Sequence, residues 1–205
     1  MTSNPPRRSA FFRHLLSSCI TAGAVLLSGC ASVYVDTATK NVPVSEMKKV
    51  AQPKPVQLVF EFQTKGAPNA RATDLLKEAV IKQVKESGLF SSIEAAPTEA
   101  MLNITLNNVP LTEDAASKGF VTGLTFGLAG SAVTDGYICT VTYLPAGQAK
   151  PIVKTAKHAI HTTLGNANPP AGAQKSTNVE EAVRTMAQEV LSNALKDLSF
   201  DESFN

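Results

Sequence analysis

The sequence contains no tryptophan, and aromatic residues make up only 6% of it. Any core it builds is therefore mostly aliphatic. Cysteine is nearly as scarce, with three in 205 residues. That is too few for a disulfide-stapled scaffold. Long apolar runs are missing: no stretch reaches the roughly 18–20 uninterrupted apolar residues of a conventional transmembrane helix. There is no phosphate-cradling glycine loop, no HExxH, no GxSxG and no closely spaced cysteine pair. Basic residues do not interleave with aromatic ones, so nothing favours a nucleic-acid partner. These absences leave no recognisable catalytic, cofactor or metal constellation, and the expectation is a protein that is not an enzyme.

The information that is present concentrates in the first thirty residues. Met1 to His14 is polar and basic, with Arg7, Arg8 and Arg13 and no acidic residue. An apolar run of about 13 residues follows, from Leu15 to Leu27, then Leu27-Ser28-Gly29-Cys30. A basic region, a short apolar region and a small-residue site in that order make a secretory signal peptide. The three arginines leave with it. Of 19 basic residues 16 then face 17 acidic ones, so the formal +2 of the whole chain becomes −1.

Leu27-Ser28-Gly29-Cys30 resembles the lipobox of bacterial lipoproteins at all four positions. The resemblance implies transfer of diacylglycerol to the Cys30 sulfur, cleavage between Gly29 and Cys30, and in many bacteria N-acylation of the new terminus. Small residues at Ser28 and Gly29 let a peptidase approach the backbone, and a thiol is nucleophilic enough to take the lipid. Each buried CH₂ contributes about 0.8 kcal/mol, so two or three palmitate-like chains hold a protein at a membrane. Lipoproteins of double-membrane bacteria that carry Asp directly after the acylated Cys tend to stay at the inner membrane. Here Ala31 and Ser32 follow, which by the same resemblance favours the outer membrane with the domain facing the periplasm.

About 175 residues remain after cleavage, enough for one domain with its own core. Cys19 departs with the signal and Cys30 takes the lipid, leaving Cys139 without an intramolecular partner. It sits in the alternating Tyr137-Ile138-Cys139-Thr140-Val141, and the expectation is a buried, inert thiol. Residues 30–55, with Pro43, Pro53 and Pro55, read as a lipid-anchored tether, although Ala31 to Val35 alternates well enough to pair at a sheet edge.

Residues 56–199 read as one domain and 200–205 as a tail. Alternation predicts strands over Val56 to Phe62, near Ile93, over Met101 to Val109, Gly136 to Leu144 and Ile152 to Leu164. Pro145-Ala146-Gly147-Gln148 is a turn signal between the last two. A helix is predicted from Ala70 to Ser87, with Asn69 as N-cap, Gly88 as stop, and a stripe of Ala72, Leu75, Leu76, Ala79, Val80 and Val84. A second helix is predicted from Asn178 to Ser199, opened by a Thr177-x-x-Glu180 capping box. Its stripe is Val179, Val183, Met186, Val190, Leu191, Ala194 and Leu198. The fold class is α+β in two layers: a mostly antiparallel sheet of four to five strands with two amphipathic helices on one face. In architecture this is loosely similar to small periplasmic α/β accessory lipoproteins of envelope assembly systems.

Lys118 to Gly136 stands apart. Gly119, Gly123 and Gly127 recur every fourth residue, Gly130 follows, and Phe120, Val121, Leu124, Phe126, Leu128 and Val133 lie between. No charge occurs from Gly119 to Thr134. Three readings stay open: an excursion folded over the core, a hairpin or helix entering lipid by small-xxx-small packing, or a partner-binding surface. Gly119, Phe120, Gly123, Leu124, Phe126, Gly127, Leu128 and Gly130 are the candidate interaction residues.

Outside the signal the only histidines are His158 and His161. Three apart on a strand, they point to opposite faces and do not share a metal. The expectation is solvated side chains. Glu113-Asp114 and Asp201-Glu202 read as solvated carboxylates, and Glu180-Glu181 as charge complementing a helix dipole. The function expected is a lipid-anchored envelope protein that binds or scaffolds without catalysis, in an outer-membrane complex. Its partners are the membrane, through Cys30, and an envelope protein or a second copy. Two alternatives stay open: a subunit of a secretion or transport assembly whose glycine-rich segment meets lipid, and an envelope enzyme with an unfamiliar site.

Overall fold

In β2 (Val56–Thr64), β5 (Met101–Pro110), β6 (Ala132–Leu144) and β7 (Ile152–Leu164), every second residue turns to one face, which is apolar in β2 and β5 and along Tyr137 to Tyr143 of β6 and admits Lys154 and His158 in β7. Leu102, Ile104 and Leu106 of β5 stand opposite Tyr143, Val141 and Cys139 of β6, and all six are buried. The next register carries the face on to Ile152, Lys154, Ala156 and His158 of β7. The residues between them, including Asn103, Thr105, Asn107, Thr140 and Thr142, form the other, more polar face. The computed structural model describes residues 31–110, 132–165 and 167–204.

Two helices cover the apolar face. Helix α1 (Ala70–Glu86) packs on β2, and α2 (Val179–Ser199) lies across β6 and β7 and touches α1. Helix α1 begins where Asn69 accepts from the Ala72 N–H at 3.1 Å. It ends before Gly88, whose φ of 68° is a left-handed conformation that suits glycine. Leu76, Val80 and Val84 are its buried stripe. On α2 the buried set is wider than the stripe read from sequence, adding Ala182, Ala187 and Leu195. Val179 instead stays 61% exposed, because it lies in the first turn beyond the sheet. The cap is shifted by one residue from the expected box. Asn178, not Thr177, accepts from the Glu181 N–H at 2.9 Å, and the Glu181 carboxylate accepts from the Thr177 N–H at 2.6 Å. Fully burying a leucine such as Leu76, Leu102 or Leu195 contributes roughly 1.5–3 kcal/mol.

The α+β class holds, but the sheet is larger than four to five strands. Eight strands join it in the order β3-β2-β5-β6-β7-β1-β8, with β4 (Ile93–Glu94) beside β2. The additions are short: β1 (Ala31–Val35), β3 (Ala67–Pro68) and β8 (Gln174–Ser176). β2 runs parallel to both β5 and β4, and α1 provides the long crossover a parallel pair needs. β2/β3, β5/β6, β6/β7 and β1/β8 are antiparallel. Strand β6 begins at Ala132, four residues earlier than expected, so the end of the glycine-rich segment is strand.

The expected tether is the largest revision. After β1, residues 36–50 are strapped against α2 and β7 rather than free. Val42 N–H donates to Ser192 Oγ at 2.9 Å, and Lys48 N–H to Ser199 Oγ at 3.0 Å. Asn193 Nδ2 donates to the Lys40 carbonyl at 2.8 Å, and Lys196 pairs with Glu46 at 3.0 Å. Val33, Val35 and Met47 are buried. Ser192, Asn193, Lys196 and Ser199 line one side of α2, and the strap's backbone satisfies its polar groups there. From Ser32 onward the chain forms one compact unit. Among the described residues no buried side-chain polar atom lacks a hydrogen-bond partner, and no helix is long and apolar enough to cross a membrane.

Candidate functional site

Gly29, Cys30, Glu113, Asp114, Gly119, Phe120, Gly123, Leu124, Phe126, Gly127, Leu128 and Gly130 lie outside the described residues. Two other places concentrate chemistry: the buried histidines of β7, and a cleft at the end of the sheet where β6 turns into β7.

The histidines point to opposite faces, yet neither is solvated; both are fully buried. The cause is the strap on one side and α2 on the other, neither of which alternation within β7 reveals. His158 Nε2 lies 2.7 Å from the Glu189 carboxylate of α2. Its Nδ1 accepts from the Ala159 N–H at 2.8 Å, so the ring proton sits on Nε2 and is donated to Glu189. On the other face, His161 Nε2 lies 3.3 Å from Asp36 Oδ2 and Nδ1 lies 2.9 Å from Thr134 Oγ1. A carboxylate only accepts, so Nε2 donates to Asp36, and Nδ1 shares the second hydrogen bond with the Thr134 hydroxyl. Asp36 also accepts from the Ala38 N–H at 2.7 Å, and its own N–H donates to the Ala159 carbonyl at 3.1 Å.

Hydroxyl, imidazole and carboxylate in line is the arrangement of an activated nucleophile. Here it ties three elements together: the strap through Asp36, β6 through Thr134 and β7 through His161. These bonds form a polar staple across the three elements. Among the described residues no three His, Cys, Asp or Glu side chains converge as metal ligands would. Cys139 is 1% exposed, and burial pushes its thiol up to about 12. Asp201 is half-buried and pairs with Lys154 at 2.7 Å; the hydrogen bond from Lys154 holds its carboxyl below the usual range.

The cleft holds about 400 Å³ and is lined by Val50, Lys54, Phe90, Tyr143, Ala146 and Phe204 among others. Three rings make its wall. Tyr143 and Phe204 meet edge to face with centroids 5.1 Å apart, and Phe90 lies 5.5 Å from Tyr143 and 5.8 Å from Phe204. The chain positions them by three separate devices. Leu89-Phe90 folds back after the Gly88 stop, Tyr143 ends the inward row of β6, and the Asp201–Lys154 pair pins the tail that carries Phe204. Desolvation in this cluster raises the Tyr143 phenol above its ordinary value. Sequence reading missed the cleft because its parts come from four segments far apart in the chain; the Leu89-Phe90 pair after a helix stop is the one local signal.

No family model matches the chain, and no curated protein does. Solved structures with a similar arrangement include two of the PelC dodecamer from Paraburkholderia phytofirmans, one of them a point variant. The variant is 10% identical with a TM-score of 0.36, the match covering 82% of this chain and 98% of that one. The other PelC structure is also 10% identical over the same shares, with a TM-score of 0.34. Protein XCC0632 from Xanthomonas campestris, of the DUF330 family, is 15% identical with a TM-score of 0.33, covering 75% of this chain and 85% of that one.

Proposed function

We propose that the chain is the precursor of a lipid-anchored envelope protein, acylated on Cys30, that binds or scaffolds without catalysis at the periplasmic side of an outer membrane. One observation carries the reading: a basic stretch, a short apolar run and Leu27-Ser28-Gly29-Cys30 follow one another in the order and spacing of a lipoprotein signal. Ala31, bonded to Cys30, already belongs to β1. An anchor on Cys30 therefore attaches at the first residue before the sheet. The test is metabolic labelling with a fatty-acid analogue, followed by mass analysis of the mature N-terminus. Wild type should incorporate label and begin at an acylated Cys30; Cys30→Ala should incorporate none and leave the membrane fraction. A mature N-terminus elsewhere, without lipid, refutes the reading.

A further inference from the structure

We propose that the cleft walled by Phe90, Tyr143 and Phe204 binds a small amphiphilic monoanion, an alkyl or aryl chain ending in one carboxylate. The inference gives the binding role above a ligand and rests on that reading. Its volume of about 400 Å³ lies within the span of small-molecule sites, roughly 300–1,000 Å³. Apolar side chains form part of the lining: half-buried Val50, Ala146 and Phe204 lie over Leu89, Phe90 and Tyr143, which are 2%, 7% and 5% exposed. The half-buried Phe204 shows that this wall accepts a hydrophobic group laid against it, since the tail's own ring packs edge to face on Tyr143.

The head group follows from charge. Lys54 is the only charged residue lining the cleft, and it is exposed. It enters no ion pair with any described residue, whereas Lys82, Lys154, Lys196 and Arg184 each have a carboxylate partner. Gln52 and Gln148 add amide donors to the lining. An aromatic wall also attracts cations, but a cationic head here would meet the Lys54 ammonium with no carboxylate in the lining to offset it. An apolar body with a single negative end satisfies both the wall and Lys54.

Titration of the full chain carrying Cys30→Ala with sodium decanoate, followed by amide NMR shifts and calorimetry, tests this. Ligand capture and acylation are read by separate assays, so failure of one is distinguishable from failure of the other. Decanoate should saturate one site and shift the amides of Gln52, Leu89, Phe90, Ala146 and Gln148. Decyltrimethylammonium should bind at least tenfold more weakly. Lys54→Glu, at an exposed position, should reverse that order without lowering the melting temperature. Ala146→Phe, which fills the cleft, should weaken decanoate at least tenfold. Equal binding of both head groups, unchanged binding by Lys54→Glu, shifts centred elsewhere, or no saturable binding overturns the proposal.

Discussion

The bond between Asp36 and His161 offers a direct measure of how firmly the N-terminal strap holds the domain. Asp36→Ala removes an acceptor 3.3 Å from His161 Nε2 and another 2.7 Å from the Ala38 N–H. The imidazole is fully buried, so its N–H loses a partner where water cannot replace it. Leaving a buried donor unsatisfied costs about 1–3 kcal/mol, and the lost turn bond about 1 kcal/mol more. The sum, about 3 kcal/mol, corresponds to roughly 6–12 °C in melting temperature for a domain of this size. His161→Ala alone should cost a similar amount, because it removes a buried hydrogen bond and opens a cavity. The decisive quantity is the coupling in the double-mutant cycle, measured by urea unfolding followed by circular dichroism. If the pair acts as a staple, the second substitution costs less once the first is made, with a coupling of about 1–3 kcal/mol. A coupling within about 0.5 kcal/mol of zero shows that the two side chains are merely neighbours.

Three further outcomes follow from the same structure. With its thiol pushed up to about 12, Cys139 should resist iodoacetamide at pH 8 in the native protein and react at once in denaturant; rapid native labelling contradicts its burial. The Asp201 carboxyl is held low in the folded state by Lys154, so the pair stabilises above the ordinary carboxylate value and its contribution disappears as pH falls through the folded one. Asp201→Asn should therefore destabilise slightly at pH 7, by roughly 0.5 kcal/mol, and match wild type near pH 2, read from paired thermal melts. Asn178→Ala should cost about 1 kcal/mol by losing the α2 cap, whereas Thr177→Ala, which leaves the Thr177 N–H bond to Glu181 in place, should cost less in the same denaturant assay.

Local periodicity made the long elements legible. β7 runs from Ile152 to Leu164 as alternation indicated, and α1 starts at the Asn69 cap and stops before Gly88. What stayed hidden depends on partners remote in sequence. β1, β3 and β8 are two to five residues long, too short to show a period, and are defined by the strand beside them. The strap looks like a linker because its prolines and polar residues lack periodicity. Its order comes from side chains on α2, with Val42 bonded to Ser192 across 150 residues. His158 and His161 read as solvated for the same reason: Glu189 and Asp36, which hydrogen-bond to them, lie 31 and 125 residues away. The aromatic cleft likewise needs four separate segments before it exists.

The strap also has a consequence for timing. Its partners on α2, Ser192 and Ser199, are made 150 and 151 positions after Val42 and Lys48, to which they bond. Contacts so distant in sequence close late, after the intervening chain has been laid down. While the polypeptide is still emerging, the stretch beginning at Ala31 has no β8 to pair with and no second helix to lean on. Until α2 is complete, the peptide from Ala31 to Val50 therefore lacks the partners that order it.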